Sequence, residues 1–270
     1  MNPIEYRMLD MLKKGRDQFG VVAIKAEFEA EGTRPDELLR LLELACRADL
    51  KVALKIGGCE AISDLHASRL YGAGYIIAPM VETAYALSKF VQAKNKVYAD
   101  GDTATDFLFN LETETALANL SEMLPLAKAE LSGIVFGRVD FTMSRGLTRA
   151  AIDDRQITDS VLLVAHACAE HDLELVVGGG VAVESAPALR KMRAVRLDRF
   201  ETRKVIFDGA AAESPDFEAA IGNAVAFELA WLQNKRDYYK AMADEDLARI
   251  RMIQERNAAA QHTRLASVAA

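Results

Sequence analysis

The sequence has few cysteines and histidines and no long apolar run. Only three of its 270 residues are cysteine and four are histidine. Cys46, Cys59 and Cys168 are widely separated and odd in number, which argues against a disulfide framework and indicates reduced thiols in a cytoplasmic protein. No segment approaches the ~18 consecutive apolar residues of a membrane span, and the charged first residues do not resemble a secretory signal.

The chain also lacks an excess of positive charge. Its 33 lysines and arginines are outnumbered by 40 aspartates and glutamates, which gives a formal net charge of −7. This balance argues against a nucleic-acid-binding surface. It does not exclude an anionic substrate, because a few cations in a cleft can dominate the local field whatever the overall charge.

Apolar segments alternate with amphipathic ones along most of the chain. The apolar segments predict strands, and the amphipathic segments between them predict helices. This order demands parallel pairing, and a barrel of this kind uses about 250 residues. No G-x-G-x-x-G turn follows the first strand, which disfavours a dinucleotide-binding fold. The predicted strands are 21–29, 51–56, 75–81, 106–112, 133–141, 173–179 and 199–207.

We therefore predict an α/β fold, a TIM-type (β/α)8 barrel with extra C-terminal helices. The barrel is expected to occupy residues 1–210, with an eighth strand that is short or lies near the N-terminus. Residues 211–260 predict a helical arm, which we expect to pack on, or be exchanged with, another subunit because its second half is polar. Residues 261–270 are predicted to be a disordered tail.

Charged residues are frequent at the predicted carboxyl ends of the strands, where parallel barrels build their active sites. Charges at such places are costly unless they are paired or bound to a metal, so their density predicts a polar site. The strand-end residues are Lys25, Glu27, Glu29, Lys55, Glu82, Asn110, Glu112, Arg138, Asp140, Gly178, Gly179, Gly180, Glu201, Arg203 and Lys204.

Glu112 and Asp140 are the strongest candidates for metal ligands. Each follows an apolar strand, and the two strands belong to neighbouring β–α units, so both carboxylates are expected at one barrel mouth. Two carboxylates completed by water and substrate oxygens commonly hold Mg²⁺ or Mn²⁺. A lone acidic residue is more often a helix cap or an ion-pair partner, but Thr113 and Thr115 are better caps than Glu112. For the pair we favour the metal.

Three segments of the sequence resemble the HpcH/HpaI aldolase and citrate lyase family of pyruvate/phosphoenolpyruvate-type barrels. They are residues 71–87, 107–124 and 131–147, and the resemblance extends over roughly residues 20–208. In that family a glutamate after one strand and the aspartate of a later G-x-x-D segment bind the metal, and these positions match Glu112 and Asp140. The resemblance also implies a homo-oligomer, a trimer or hexamer, in which C-terminal helices are often exchanged between subunits.

The sequence departs from this family at several positions. Lys55 stands where much of the family has an arginine that neutralises substrate charge, and lysine lacks the planar fork of arginine. The family's catalytic histidine and its aspartate partner are absent, and Glu27 is the tentative replacement for the base. Arg138 stands where many members have a proline. Together with Lys25 and Lys55, it suggests a dianionic or phosphorylated substrate.

These features lead to one main hypothesis and two alternatives. The main hypothesis is a metal-dependent, class II aldolase or carbon–carbon lyase that acts on a pyruvate-like 2-oxo acid through a metal-stabilised enolate. Glu112 and Asp140 would bind the metal, Lys55 and Glu27 would act in catalysis, and Lys25, Lys55, Glu82 and Arg138 would bind substrate. The alternatives are a condensing synthase that makes a hydroxy acid in a biosynthetic pathway, and a non-catalytic barrel that serves as a binding or assembly subunit.

Overall fold

The computed structural model describes residues 1–99 and 104–268, with side chains described up to residue 260. The chain divides into two compact units, residues 1–228 and 229–270. Among the described residues, no helix combines the length and the apolar character needed to cross a membrane.

Eight strands close into a barrel in which each strand pairs with the next in sequence and the last pairs with the first, which confirms the predicted fold class. The first seven strands pair in parallel. The strands are β1 (Val21–Glu27), β2 (Lys51–Lys55), β3 (Tyr75–Ala78), β4 (Asp106–Leu111), β5 (Gly133–Gly137), β6 (Glu174–Gly178), β7 (Arg199–Glu201) and β8 (Val205–Asp208).

The eighth strand is antiparallel to both of its neighbours, which corrects two of the expectations from sequence. The segment 199–207 is not one strand but a hairpin, because the chain turns back between Glu201 and Val205, where the Thr202 N–H donates to the Val205 carbonyl at 2.9 Å. So few residues cannot make the crossover that parallel pairing requires. Strand β8 therefore follows β7 directly, and the N-terminal residues form a helix instead.

Helices occupy the connections between the parallel strands. The predicted strand 133–141 ends at Gly137, and Arg138 already begins a short helix. The helices are α1 (Pro3–Phe19), α2 (Pro35–Ala48), α3 (Ile62–Leu70), α4 (Ala84–Val97), α5 (Glu114–Ala118), α6 (Leu120–Glu130), α7 (Arg138–Ser144), α8 (Arg155–His171), α9 (Ala186–Arg193) and α10 (Phe217–Val268).

The last helix belongs to both units. In the first unit its residues Phe217, Ile221, Ala224 and Phe227 are buried at helical spacing. The sequence predicts that the arm ends at residue 260 and that a disordered tail follows. In the structure helix α10 continues to Val268. Residues 269 and 270 lie outside the described residues. The association of the arm with another subunit stays a prediction.

Apolar side chains fill the interior of the barrel below the carboxyl ends of the strands. The cluster combines small and large residues from seven of the strands, so the barrel is packed and not a channel. This apolar layer lies directly below the polar residues at the carboxyl ends of the strands. Its members are Ala23, Ala53, Tyr75, Ile77, Leu108, Val135, Val176 and Ile206.

Replacing Gly133 by alanine tests the close approach of two barrel strands. A Cβ at this position would lie 2.4 Å from the Glu174 carbonyl oxygen, so β5 and β6 would have to separate. We expect Gly133→Ala to lower the free energy of unfolding by about 2–3 kcal/mol, measured by urea denaturation. Gly222→Ala is the matched control: that glycine is helical with no atom within 4 Å of an added Cβ, so alanine should stabilise. Equal stability of the two variants would contradict this packing.

Candidate active site

A cavity of about 440 Å³ opens at the carboxyl ends of the strands. Its lining contains residues of most barrel strands and of the loops that follow them. The lining residues are Lys25, Glu27, Glu29, Ala30, Lys55, Met80, Asn110, Glu112, Val135, Gly137, Val139, Asp140, Arg149, Gly178, Gly179, Gly180, Val181, Glu201, Thr202, Arg203, Val225 and Glu228.

The lining has more negative than positive groups. Six carboxylates face four lysine and arginine side chains, so the formal charge of the lining is −2 when all are ionised. Buried charges of one sign repel each other strongly in a poorly solvated cavity. The cavity is therefore suited to a cation, and a divalent cation would balance its formal charge.

Two glutamates and two glycines occupy one row across four neighbouring strands. The β4–β5 register, continued by one residue, places Glu112 beside Gly137. Gly137 pairs with Gly178 across β5 and β6. The β6–β7 register, continued by one residue, places Gly178 beside Glu201. The row is therefore Glu, Gly, Gly, Glu, with both acidic side chains at its ends.

The two glycines provide the space that the two glutamate side chains occupy. A Cβ on Gly137 would lie 2.7 Å from Glu112 Oε2, and a Cβ on Gly178 would lie 2.7 Å from Glu201 Oε1. Such contacts are too short for real side chains. Glycine at both positions therefore allows each carboxylate to fold inward over the neighbouring strand.

Glu112 is held in place by hydrogen bonds to both of its oxygens. Only 1% of the residue is exposed. The Met80 backbone N–H donates to Oε1 at 2.9 Å, and Asn110 Nδ2 donates to Oε2 at 2.7 Å. Met80 has a φ of +50°, a conformation that is costly for a side chain of this size. The backbone is thus strained at the point where it donates to Glu112.

Lys55 lies beside Glu112 at the end of β2. Its Nζ is 3.5 Å from Glu112 Oε2 and 3.2 Å from Glu29 Oε2. Burial alone would lower the pKa of Lys55, but the carboxylates of Glu112, Glu29 and Glu27 raise it above its ordinary value. Lys55 is therefore a fixed positive charge next to the predicted metal ligand.

Lys25 is held between two carboxylates on the other side of the cavity. Its Nζ is 2.5 Å from Glu201 Oε1 and 3.2 Å from Glu27 Oε1. Burial opposes its charge, yet Glu201 and Glu27 raise the pKa of Lys25 above its ordinary value. In turn, although burial would raise the pKa of Glu27, Lys25 and Lys55 hold it below the ordinary value. Lys25 and Glu27 thus stabilise each other in their charged forms.

Asp140 reaches the same cavity from the first turn of α7, not from a strand end as predicted. The structure therefore brings the two predicted metal ligands to one cavity. Among the described residues no group of three or more His, Cys, Asp or Glu side chains is arranged to hold a metal. A metal would depend on Glu112, Asp140 and further oxygen donors from water or substrate.

Three buried oxygen atoms in the lining have no hydrogen-bond partner among the described residues. They are Asn110 Oδ1, Glu201 Oε2 and Glu29 Oε2, the last of which lies 3.2 Å from Lys55 Nζ. Asn110 is 5% exposed and Glu201 is 4% exposed, so bulk water does not satisfy them freely. Leaving a buried acceptor unpaired is costly. Asn110 Oδ1 and Glu201 Oε2 are therefore suited to bind a ligand, and the nearby carboxylates of Glu112 and Asp140 are oxygen donors of the kind that Mg²⁺ or Mn²⁺ prefers.

Two residues predicted to bind substrate lie elsewhere. Arg138 is fully buried and absent from the lining; it donates to Asp153 Oδ1 at 2.5 Å and to the Gly178 carbonyl at 3.2 Å. Because α7 begins at Arg138, its side chain points into the protein. Glu82 accepts from Thr113 Oγ1 at 2.6 Å and lines a separate surface pocket.

Sequence reasoning missed several lining residues. Arg149 begins a short 3-10 helix (Arg149–Ala151) after α7, Glu228 lies in α10, and Met80 follows β3. Nothing in the local sequence pattern assigns this arginine or a helical glutamate to the site. Asn110, by contrast, is among the strand-end residues named from the sequence, because it is a polar residue within an apolar strand.

Residues 57–179 match the model of the HpcH/HpaI aldolase/citrate lyase family. This match confirms the resemblance found in the sequence and supports an enzyme of the lyase or aldolase kind. The HpcH/HpaI match includes both predicted metal ligands and both row glycines, but not β1, β2 or β7. No curated protein matches the sequence.

Solved structures with this fold include three that are similar to the chain. An HpcH/HpaI aldolase from Desulfitobacterium hafniense DCB-2 is 12% identical, with a TM-score of 0.58 over 79% of this chain and 87% of that one. A HpcH/HpaI aldolase/citrate lyase family protein from Burkholderia cenocepacia J2315 is 11% identical, with a TM-score of 0.60 over 89% and 90%. RipC from Yersinia pestis is 17% identical, with a TM-score of 0.50 over 77% and 88%. At these identities the likeness shows the fold alone.

Removing the partner of Arg138 tests its placement in the protein interior. Asp153→Asn would leave the guanidinium buried without its carboxylate, so we expect the free energy of unfolding to fall by roughly 2–4 kcal/mol. Asp154→Asn, at the neighbouring exposed position, should leave stability nearly unchanged. Chemical denaturation of both variants measures the difference. Similar stabilities would mean that Arg138 does not depend on Asp153.

Proposed function

We propose that this chain is a divalent-metal-dependent carbon–carbon lyase or aldolase that acts on a pyruvate-like 2-oxo acid. The observation that supports it most is that Glu112 and Asp140 line one cavity with an excess of negative charge. The HpcH/HpaI match supports the lyase or aldolase class.

The proposed metal is Mg²⁺ or Mn²⁺, held by Glu112 and Asp140. When bound, it supplies Lewis-acid stabilisation of the charge that develops on the keto oxygen of the substrate. The hydrogen bonds from Met80 and Asn110 fix the orientation of the Glu112 carboxylate, which leaves the remaining lone pairs of its oxygens for a cation.

The lysines have different proposed roles. Lys55, at the edge of the metal pair, is placed to neutralise the carboxylate of the 2-oxo acid, and its raised pKa keeps it charged. Lys25 is already paired with two carboxylates, so we propose that it holds them in place. Since Arg138 does not line the cavity, the suggestion of a phosphorylated substrate loses one of its three cations.

Proton exchange at C3 of pyruvate in D₂O tests the proposal. With Mg²⁺ or Mn²⁺ present, NMR should show exchange that chelation by EDTA abolishes. Asp140→Asn removes one ligand charge, so exchange should fall at least about 100-fold and Mn²⁺ affinity at least about 10-fold. Asp154→Asn serves as the surface control.

Two results would contradict the proposal. Exchange that EDTA leaves unchanged would exclude the metal. Metal binding without exchange of any 2-oxo acid would favour a non-catalytic barrel that binds or assembles with other molecules.

We propose that the protein is a homo-oligomer, a trimer or hexamer, as its resemblance to the HpcH/HpaI family implies. In the C-terminal part of α10, Leu232, Met242 and Ile250 are each about half exposed, so this part of the helix has apolar side chains available for such an association. Light scattering should give a mass several times that of one 29.6 kDa chain. Replacing Met242 and Ile250 by glutamine together should reduce that mass, whereas a monomeric wild-type protein would refute the proposal.

A further inference from the structure

The proposed reaction needs a group that removes a proton from the substrate, and four carboxylates of the cavity lie outside the metal pair. They are Glu27, Glu29, Glu201 and Glu228. The described part of the lining contains no histidine. A base must have an oxygen that is free to reach the substrate, so the partners of each carboxylate distinguish them.

The geometry disfavours Glu27 and Glu29. Glu27 is ion-paired with Lys25, and that cation together with Lys55 holds its pKa below the ordinary value, which weakens it as a base. Glu29 Oε2 also has no hydrogen-bond partner among the described residues, but it lies 3.2 Å from Lys55 Nζ and beyond the end of β1. Both carboxylates neutralise lysines of the cavity, and Glu228 extends from α10, not from a strand end.

Glu201 has one oxygen anchored and the other without a partner. Lys25 Nζ donates to Oε1 at 2.5 Å, which fixes the side chain. Oε2 is buried and has no hydrogen-bond partner among the described residues. Gly178 provides the space in which this side chain folds inward. The arrangement positions one carboxylate oxygen and leaves the second available to a ligand.

Glu201 also lies close to Glu112, one of the two proposed metal ligands. Gly137 and Gly178, between Glu112 and Glu201, are on adjacent strands about 4.8 Å apart, and each glutamate folds toward its glycine. Glu112 Oε2 and Glu201 Oε1 are therefore separated by about 10 Å or less, since strand spacing and the two close contacts bound the distance. A three-carbon acid can lie between them over the two glycines.

We propose that Glu201 is the general base of this site and takes a proton from C3 of the bound 2-oxo acid. This rests on the proposed function. The C3–H bond breaks and its proton goes to Oε2 of Glu201. The electron pair becomes the C2–C3 π bond, and the negative charge moves to the C2 oxygen. Return of the proton, or of a deuteron from solvent, reverses the step without any other reactant.

Exchange of the pyruvate C3 protons in D₂O, measured with Mn²⁺ on the full-length protein, tests the assignment. Glu201→Gln keeps an oxygen for Lys25 but removes the base, so exchange should fall at least about 100-fold. Mn²⁺ affinity, measured by calorimetry, should stay within about 3-fold of wild type because Glu201 is not one of the proposed ligands.

Two further variants keep the assignment testable whatever Glu201→Gln does to folding. Glu201→Asp preserves the charge beside Lys25 but withdraws the carboxylate by one methylene; exchange should fall at least about 10-fold with an unchanged thermal midpoint. Glu27→Gln removes the other carboxylate of Lys25 with the same change in charge, and should lose less activity than Glu201→Gln.

Several outcomes would overturn the assignment. Exchange retained in Glu201→Gln, an equal loss in Glu27→Gln, or a parallel loss of Mn²⁺ affinity would each give Glu201 a different role while leaving the proposed function intact. If the wild-type protein exchanges no 2-oxo acid, the proposed function fails, and the role of Glu201 fails with it.

Discussion

The mouth of this barrel depends on one constraint, which is that charges buried there must be neutralised by other charges. Lys25 and Lys55 are each bound by two carboxylates within the protein. Removing either lysine would leave two carboxylates without their shared cation in a poorly solvated place, which is far more costly than losing an exposed pair. The groups therefore hold one another in position, and the cavity is rigid where its chemistry is expected.

The same constraint explains the glycines of the row. Two glutamates can fold inward only where the neighbouring strands have no side chains, and Gly137 and Gly178 meet that need. Only three of the four residues in the row lie in the segment that matches the family model. Glu112, Gly137 and Gly178 lie within the segment that matches the family model, whereas Glu201 lies beyond it. The proposed metal ligand Glu112 thus lies in the matched segment, whereas the proposed base Glu201 does not.

Much of the fold could be predicted from the sequence because it follows from local periodicity. Apolar strands covered on both faces and amphipathic helices gave the right elements in the right order, and Glu112 and Asp140 reach one cavity as predicted. The direction of the last strand could not be predicted, since the short turn between Glu201 and Val205 leaves little local signal in the sequence. Arg138 was misplaced for a similar reason: one residue of helix after Gly137 reverses the direction of a side chain. Arg149 and Glu228 reach the site through tertiary packing, and the periodicity of the sequence does not predict such long-range contacts.

The antiparallel hairpin has a further consequence for the barrel wall. A parallel strand comes with a crossover helix that shields its outer side, but β7 and β8 share a tight turn and have no such helix between them. Phe200 and Phe207 stack there with ring centroids 5.0 Å apart, and Phe217 packs on Phe200 at 5.8 Å. The first turn of α10 therefore covers the outer side of β7, which a crossover helix would otherwise shield. A chain that ended at residue 210 would lack this turn, and Phe200, next to Glu201 in β7, would be exposed to water.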